Sequence, residues 1–426
     1  MDNTSGDCEA TGSCTSCATF NQADVDHIKA QGWNTIRLSI VWAGAQTEPG
    51  NELNADFLRR LHAILDMTDK AGLHVFLDNH GDMVGSANCG NGLPMWISQA
   101  AAPDLIGKPL TTELPYSLFM DVKDTNGYST CGDDAAKWGE YAGDPNYNLL
   151  NQCCIAMNAG GNQPNLAFSK LGQYAMNYIQ KQGAGREAFV KYMRLVAESV
   201  VDHPSVFAIE PMNEPMSIKR GDMFDTWKEI ALAVNSVIPD MAVAVCDIGE
   251  GGIIPDWLTK IDNVDISHSD IVWMQGQTTL FYAWHWYGNP KSTSDAIKNV
   301  QAISKDWNMP SLLTEFMSCD IWHAAEDAGI GFNYWHYSAY CNTGPNFGNK
   351  KVPDETFGAC ILGWGGGNPS KTCPRTSISL RGSTTDGLTE SERKHESEKN
   401  VLQMIPQVPK VPYLDHLRND LLEKNK

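Results

Sequence analysis

The chain has 426 residues, enough for two or three domains or for one α/β barrel enlarged by insertions. Apolar residues make up 42% and charged residues 19%, below the ~25% usual for soluble domains. With 37 Gly and 13 Trp, this excludes a disordered or fibrous chain and implies a large core with elaborate loops. Lys plus Arg number 32 against 51 Asp plus Glu, a net charge of −19 that repels nucleic acid and anionic membranes and suits a neutral substrate.

Residues 1–20 are rich in Cys, Ser, Thr and Gly and make a poor strand. Met1 is followed by polar Asp2, Asn3, Thr4, Ser5 and Gly6, which does not resemble a secretory signal. From there the chain alternates helix-like and strand-like stretches. Residues 24–31 and 54–71 read as helices, the second carrying Phe57, Leu58, Leu61, Ile64, Leu65 and Thr68 at helical spacing. Gly32 and Gly72 fit the position that ends a helix and turns the chain back, here into the apolar runs 34–40 and 74–80. Further strand-like runs cover 206–214, 241–248, 281–287, 311–316 and 331–337, separated by helical stretches at about 187–202, 221–238, 292–306 and 320–328. This alternation, with nearly continuous apolar strands, predicts a parallel sheet covered by helices.

Seven strands are legible where a closed (β/α)8 TIM barrel needs eight, so the first strand is expected to be missing or degenerate, lost from an N-terminally trimmed chain. The expected organisation is a Cys-rich segment at 1–20, a barrel over 21–340 with an insertion at 81–185 forming long loops at its catalytic face, and a loop and helical extension at 341–426 packed on the barrel. No run approaches the ~18 apolar residues of a membrane span. Twelve cysteines, mostly in loop-like sequence, favour disulfides and an extracellular or secretory location, as does a possible acceptor site at Asn3-Thr4-Ser5. A zinc site built on Cys14 and Cys17 would need a second ligand pair at finger-like spacing, and none follows.

Two strand ends carry chemistry. Ile209-Glu-Pro-Met-Asn213-Glu214-Pro215 ends one, and Leu312-Leu-Thr-Glu315-Phe316 ends another. A carboxylate at the end of a buried strand is costly unless paired or used. In a barrel both would reach the catalytic face, and two carboxylates across a cleft are what glycoside cleavage requires. The set resembles glycoside hydrolase family five, in the clan of barrels whose catalytic glutamates lie on strands four and seven. Arg37 in Asn34-Thr-Ile-Arg37, His80 in Leu77-Asp-Asn-His80, His285 and Tyr287 in Trp284-His285-Trp-Tyr287, and Trp335 in Asn333-Tyr-Trp335 match further family positions in order. Gly32–Arg37, Trp42, Glu48-Pro-Gly50, His80-Gly-Asp82 and Gly90-Asn-Gly-Leu-Pro94-Met-Trp96 resemble the endoglycoceramidase group and its β-glucosidase relatives. Gly81 departs from that group, which usually has Gln between the His and the Asp.

The resemblance implies a retaining β-glycosidase acting on a β-glucoside or glycolipid, with Glu214 as acid/base and Glu315 as nucleophile. Glu214 then needs a raised pKa, and Glu315 must stay ionised, with Arg37 and the Tyr287 hydroxyl as its natural hydrogen-bond partners. Asn213 is expected to bond the sugar 2-hydroxyl, with His80, Asp82, His285, Trp335 and Trp96 as further substrate contacts. Trp96, Trp284 and Trp286 either stack on sugar or fill the barrel, and Glu210 should lie deeper as a satisfied core carboxylate. Asp247 and Glu250 end the strand after Glu214 and are candidates to reach the cleft. His80-Gly-Asp82 invites a metal reading, but no metal and no cofactor is expected for this chemistry. Alternatives are an endo-β-1,4-glucanase or mannanase acting on polysaccharide, and a catalytically inactive carbohydrate-binding barrel.

Overall fold

The computed structural model describes residues 20, 22–30, 32–81, 84–88, 92–106, 110–114, 117, 167–215, 220–246, 268–286, 292–316, 319–333, 340–342 and 349–351. Seven strands form one sheet in sequential order: β1 Thr35–Ile40, β2 His74–Asn79, β3 Val206–Glu210, β4 Ala242–Cys246, β5 Leu280–Trp286, β6 Ser311–Phe316 and β7 Gly331–Phe332. Every neighbouring pair is parallel. Between them run α1 Gln22–Ala30, α2 Trp42–Ala45, α3 Ala55–Ala71, α4 Met95–Ala101, α5 Lys170–Gln180, α6 Ala184–Ser199, α7 Arg220–Asn235, α8 His268–Gln275, α9 Thr293–Asp306 and α10 Cys319–Asp327.

The elements follow the expected pattern, with bounds set by local chemistry. Asn54 caps α3, its Oδ1 accepting from the N–H groups of Asp56 and Phe57, and Gly72 closes the helix at φ 67. Strand β3 stops at Glu210, short of the expected end at 214, because Pro211 has no N–H for the ladder. The insertion is partly helical. Ser169 accepts from Gly172 N–H to start α5, which buries Leu171, Ala175, Met176 and Ile179 along one face. A short antiparallel pair, β8 Tyr340–Asn342 with β9 Asn349–Lys351, lies where the sequence suggested loop.

Strand residues alternate between two apolar layers. Phe76, Ala208, Ala242, Ala244, Cys246, Phe281 and Ala283 pack together inside the sheet. Val75, Leu77, Ile209, Val243, Val245, Tyr282, Trp284, Trp286 and Leu313 face the helices and join a second cluster with Phe189, Tyr192 and Trp227. The small inner side chains allow the sheet to curl. Arg37 on β1 reaches Glu315 on β6 at 2.6 Å, whereas a flat sheet would set those strands about 24 Å apart. The sheet is therefore a curved barrel wall, with β1 and β7 as its edges among the described residues. The residues proposed for the eighth strand, and most of the proposed terminal segments, lie outside the described residues. No described helix is long and apolar enough to cross a membrane. Cys246 is a buried free thiol.

Candidate active site

The C-terminal ends of β1, β2, β3, β5 and β6 converge on Arg37. Its guanidinium stands 5.8 Å from the centroid of the Phe76 ring, directly above the inner apolar layer. Nε and Nη2 both donate to Glu210 Oε2, at 3.0 and 2.7 Å, Nη2 also donates to Asn213 Oδ1 at 2.8 Å, and Nη1 donates to Glu315 Oε1 at 2.6 Å. Asp78 Oδ1 completes the surround, 3.1 Å from Nη2. Burial opposes the charged guanidinium, but Asp78, Glu210 and Glu315 outweigh it and hold the Arg37 pKa well above its ordinary value.

The three carboxylates around this cation are not equivalent. Burial raises the Glu210 carboxyl above the usual range, with Asp78 adding to it and Arg37 opposing it. Asp78 is equally buried, yet it is held below the usual range by Arg37 and His80, with hydrogen bonds from His80 Nδ1 at 2.7 Å and Ser39 Oγ at 3.1 Å. Glu210 thus lies deep, as its sequence position implied, but only its Oε2 is satisfied by Arg37, its buried Oε1 having no hydrogen-bond partner among the described residues. Asp78 is a site residue that sequence reading missed. Its signal was available: it shares the inward face of β2 with Phe76 and His80.

The two proposed catalytic glutamates are brought together by backbone irregularities. After Pro211 the chain bonds sideways to β2, Asn213 N–H donating to Asn79 O at 3.0 Å. Glu214 then adopts φ 37, a left-handed conformation that costs a non-glycine residue about 1–3 kcal/mol and turns its side chain into the cleft. On the other side, the register between β5 and β6 shifts after Trp284–Leu313, so that His285 pairs with Glu315 rather than with Thr314. His285 Nδ1 lies 2.8 Å from Glu214 Oε1 and 3.6 Å from Glu315 Oε2. Oxygens of Glu214 and Glu315 and a His285 ring nitrogen all fall within 4.8 Å of one another. Burial disfavours the imidazolium, but Glu315 and Glu214 overcome it and raise the His285 pKa.

Of the other proposed contacts, His80 is buried with its ring fixed by Asp78. Trp96 on α4 is half-buried, edge-on to Trp42, its indole N–H donating to Gln46 O at 3.2 Å. Trp284 and Trp286 point into the layer beneath the helices, so they fill the fold rather than face the cleft. Asp82, Tyr287 and Trp335, together with Asp247 and Glu250, lie outside the described residues.

A family model described as Cellulase (glycosyl hydrolase family 5) matches residues 1–105, the stretch that holds Arg37, His80 and Trp96. An endoglycoceramidase of Cyanea nozakii is 24% identical over 294 residues, 68% of this chain and 49% of that protein. Endoglycoceramidase I of Rhodococcus hoagii is 22% identical over 355 residues, 80% of this chain and 66% of that protein. The chain is thus similar to glycosyl hydrolase family 5 proteins. The barrel architecture is matched by a solved structure, endo-glycoceramidase II from a Rhodococcus species as its lactosyl–enzyme intermediate. That likeness has a TM-score of 0.50 at 20% identity, covering 79% of this chain and 71% of that one, and bears on the fold alone. The chain spans 49% and 66% of the lengths of these two relatives.

Proposed function

We propose that this protein is a retaining β-glycosidase acting on a β-glucoside or glycolipid, with Glu214 as acid/base and Glu315 as nucleophile. The observation that carries the reading is the approach of the two carboxylates to within 4.8 Å, from β6 and from the segment that follows β3. That spacing accords with the ~5–5.5 Å of retaining enzymes and falls short of the ~6.5–9.5 Å that inverting enzymes leave for a water. In the first step Glu214 gives its proton to the departing glycosidic oxygen while Glu315 attacks the anomeric carbon, forming a glycosyl ester. Glu214, now a carboxylate, takes a proton from water, which opens the ester and regenerates Glu315. Arg37 stabilises the attacking carboxylate as a buried, fixed cation. Asn213, whose Oδ1 is held by Arg37 with its amide left to donate, is placed for the sugar 2-hydroxyl.

The aglycone is read from the relatives. Two carry the name endoglycoceramidase, which supports a glycolipid; the family model's description as cellulase supports polysaccharide instead. The cysteine count accords with an extracellular or secretory location. The test uses an aryl β-glucoside with the wild type, Glu315→Gln and Glu214→Ala. Loss of release in Glu315→Gln, and a β-glycosyl azide formed by Glu214→Ala with azide, are expected. Undiminished turnover by Glu315→Gln would overturn the assignment. Glucosylceramide, lactosylceramide, cellohexaose and mannan in parallel separate the substrates, and cleavage of cellohexaose alone would remove the glycolipid reading.

A further inference from the structure

Beside the catalytic pair, three neighbouring strands each send a side chain of metal-ligating type inward: Glu210 from β3, Cys246 from β4 and His285 from β5. They continue the alternation that puts Ala208, Ala244 and Ala283 in the inner layer, and Cys246 packs with that layer. All three are buried, and one ligand atom from each lies within 4.8 Å of the other two. Two buried polar atoms of this group have no hydrogen-bond partner among the described residues, Glu210 Oε1 and His285 Nε2. The other polar atoms of the same side chains are engaged, Glu210 Oε2 by Arg37 at 2.7 Å and His285 Nδ1 by Glu214 at 2.8 Å. Buried polar atoms left unpaired are costly, and two of them in one cluster with a thiol point to a ligand that all three would share.

Glu210 Oε1 and His285 Nε2 do not bond each other, yet the cluster they belong to is compact. Ligands around a tetrahedral zinc-type ion stand about 3.3–3.6 Å apart, too far for a good hydrogen bond and well inside this group's spread. Thiol, imidazole and carboxylate donors select such ions over calcium or magnesium, which take oxygen. We propose that Cys246 Sγ, His285 Nε2 and Glu210 Oε1 form a binding site for a thiophilic divalent cation of the zinc type, and that filling it arrests the proposed hydrolysis. Burial, with the Glu210 charge adding to it, holds the Cys246 thiol well above its ordinary pKa, so the ion must expel that proton to solvent. Burial also raises the Glu210 carboxyl, where the ion takes the place of a proton. Protons lost thus offset the charge brought in beside Arg37. Ligation through Nε2 keeps His285 a neutral ring with its remaining proton on Nδ1, in place of the imidazolium that Glu315 and Glu214 favour. The Glu214 side chain, bonded to that ring, is 17% exposed, so the cleft reaches the edge of the site. The arrest rests on the proposed catalytic roles; the binding does not.

The full-length protein is chelator-treated, and its accessible thiols are alkylated so that only buried cysteine remains. It is then titrated with Zn2+ by calorimetry and with Co2+ by absorption. The wild type should take up one equivalent more than Cys246→Ala or the near-isosteric Cys246→Ser, and it alone should gain a thiolate-to-cobalt charge-transfer band. Mg2+ and Ca2+ should not displace that equivalent. Hydrolysis of the aryl β-glucoside by the wild type should fall about 100-fold when the equivalent is bound, the scale of a disabled acid/base group. Each Cys246 variant should instead keep its own metal-free rate. Uptake is read without turnover, so a protein that binds Zn2+ through Cys246 but never hydrolyses glycosides would sink the proposed function and support the site. Equal Zn2+ uptake and identical cobalt spectra in the wild type and both variants would overturn the site. Saturated uptake with undiminished hydrolysis would overturn its hold on His285.

Discussion

Arg37 is one cation shared among three buried carboxylates and an amide, and that sharing sets how Glu315 behaves. Glu210 takes two of its donors on a single oxygen. Glu210→Gln keeps an oxygen for those donors but removes a competing negative charge, so Arg37 acts more fully on Glu315. The expected result is an acid limb of kcat/KM shifted to lower pH, with a fall in kcat because a more stabilised carboxylate attacks less readily. Glu210→Ala leaves the guanidinium unmoored and should cost about 3–5 kcal/mol of stability as well. An unmoved pH profile in Glu210→Gln with normal folding would show that Glu210 only fills space. His285 makes a second claim. Its folded pKa lies above the ordinary value, so the stability from the imidazolium between Glu214 and Glu315 is fully present below about pH 6.5 and is lost as pH rises through the folded value. Thermal melts from acid to mildly alkaline pH should show that decline in the wild type and a flatter curve in His285→Gln. Asp78 contributes the reverse, stability present above about pH 3.9 and lost on acidification. Asn213, Glu214 and Glu315 stood out because polar residues interrupt an apolar run near a strand's end, whereas Arg37 and His285 were reached through the family resemblance. Asp78 was passed over although it alternates with Phe76 and His80 on one face of β2, because its ion-pair partner Arg37 comes from the neighbouring strand.

At the scale of elements, helices and strands followed periodicity, whereas their irregularities did not. Pro211 announces the end of β3, but the left-handed Glu214 and the shifted register at Trp284 depend on neighbouring strands. Helix α5 was hidden inside a segment whose average composition is loop-like, although its own apolar spacing is regular. Helix α8 was hidden for another reason: Val272 and Trp273 are exposed, so its apolar residues do not mark a buried face. The close approach behind His80 was also invisible. A Cβ on Gly92 would sit 2.5 Å from Gly81 Cα and 2.7 Å from Val84 O, so the backbones of these two rim segments touch. Gly92→Ala should therefore displace Gly81 and the adjoining His80, costing about 1–3 kcal/mol and reducing kcat/KM beyond what the fall in folded fraction explains. Gly50→Ala is the control, since its added methyl meets nothing nearer than 4.0 Å. Equal effects of the two substitutions on turnover per folded molecule would refute the link between this contact and the site.

For the molecule as a whole, β1 and β7 are the two edges, and together the seam, of the seven-stranded wall among the described residues. The Arg37 side chain is only 4% exposed, yet the residue as a whole is half-buried, so what solvent reaches is its backbone. Gly331 and Phe332 on β7 are likewise half-buried, whereas β5 is buried throughout. A parallel strand at an edge bonds through only one side, and its remaining N–H and C=O groups need water or another strand. The seven strands were legible from periodicity, and the curl that lets β1 reach β6 was expected only through the family resemblance, which paired Arg37 with Glu315. That curl is held by polar contacts around Arg37, which hydrophobic periodicity does not report. Hydrogen exchange reads the seam directly. Amides of 35–40 and 331–332 should exchange by local opening, far ahead of those in 280–286, whose exchange should require global unfolding. Binding of a glycoside-mimicking inhibitor should slow 35–40 more than 331–332, because Arg37 and Glu315 tie β1 into the site while β7 contributes no described ligand. Protection of 35–40 equal to that of 280–286 in the free protein would mean that a further segment of the chain pairs with β1 and closes the barrel.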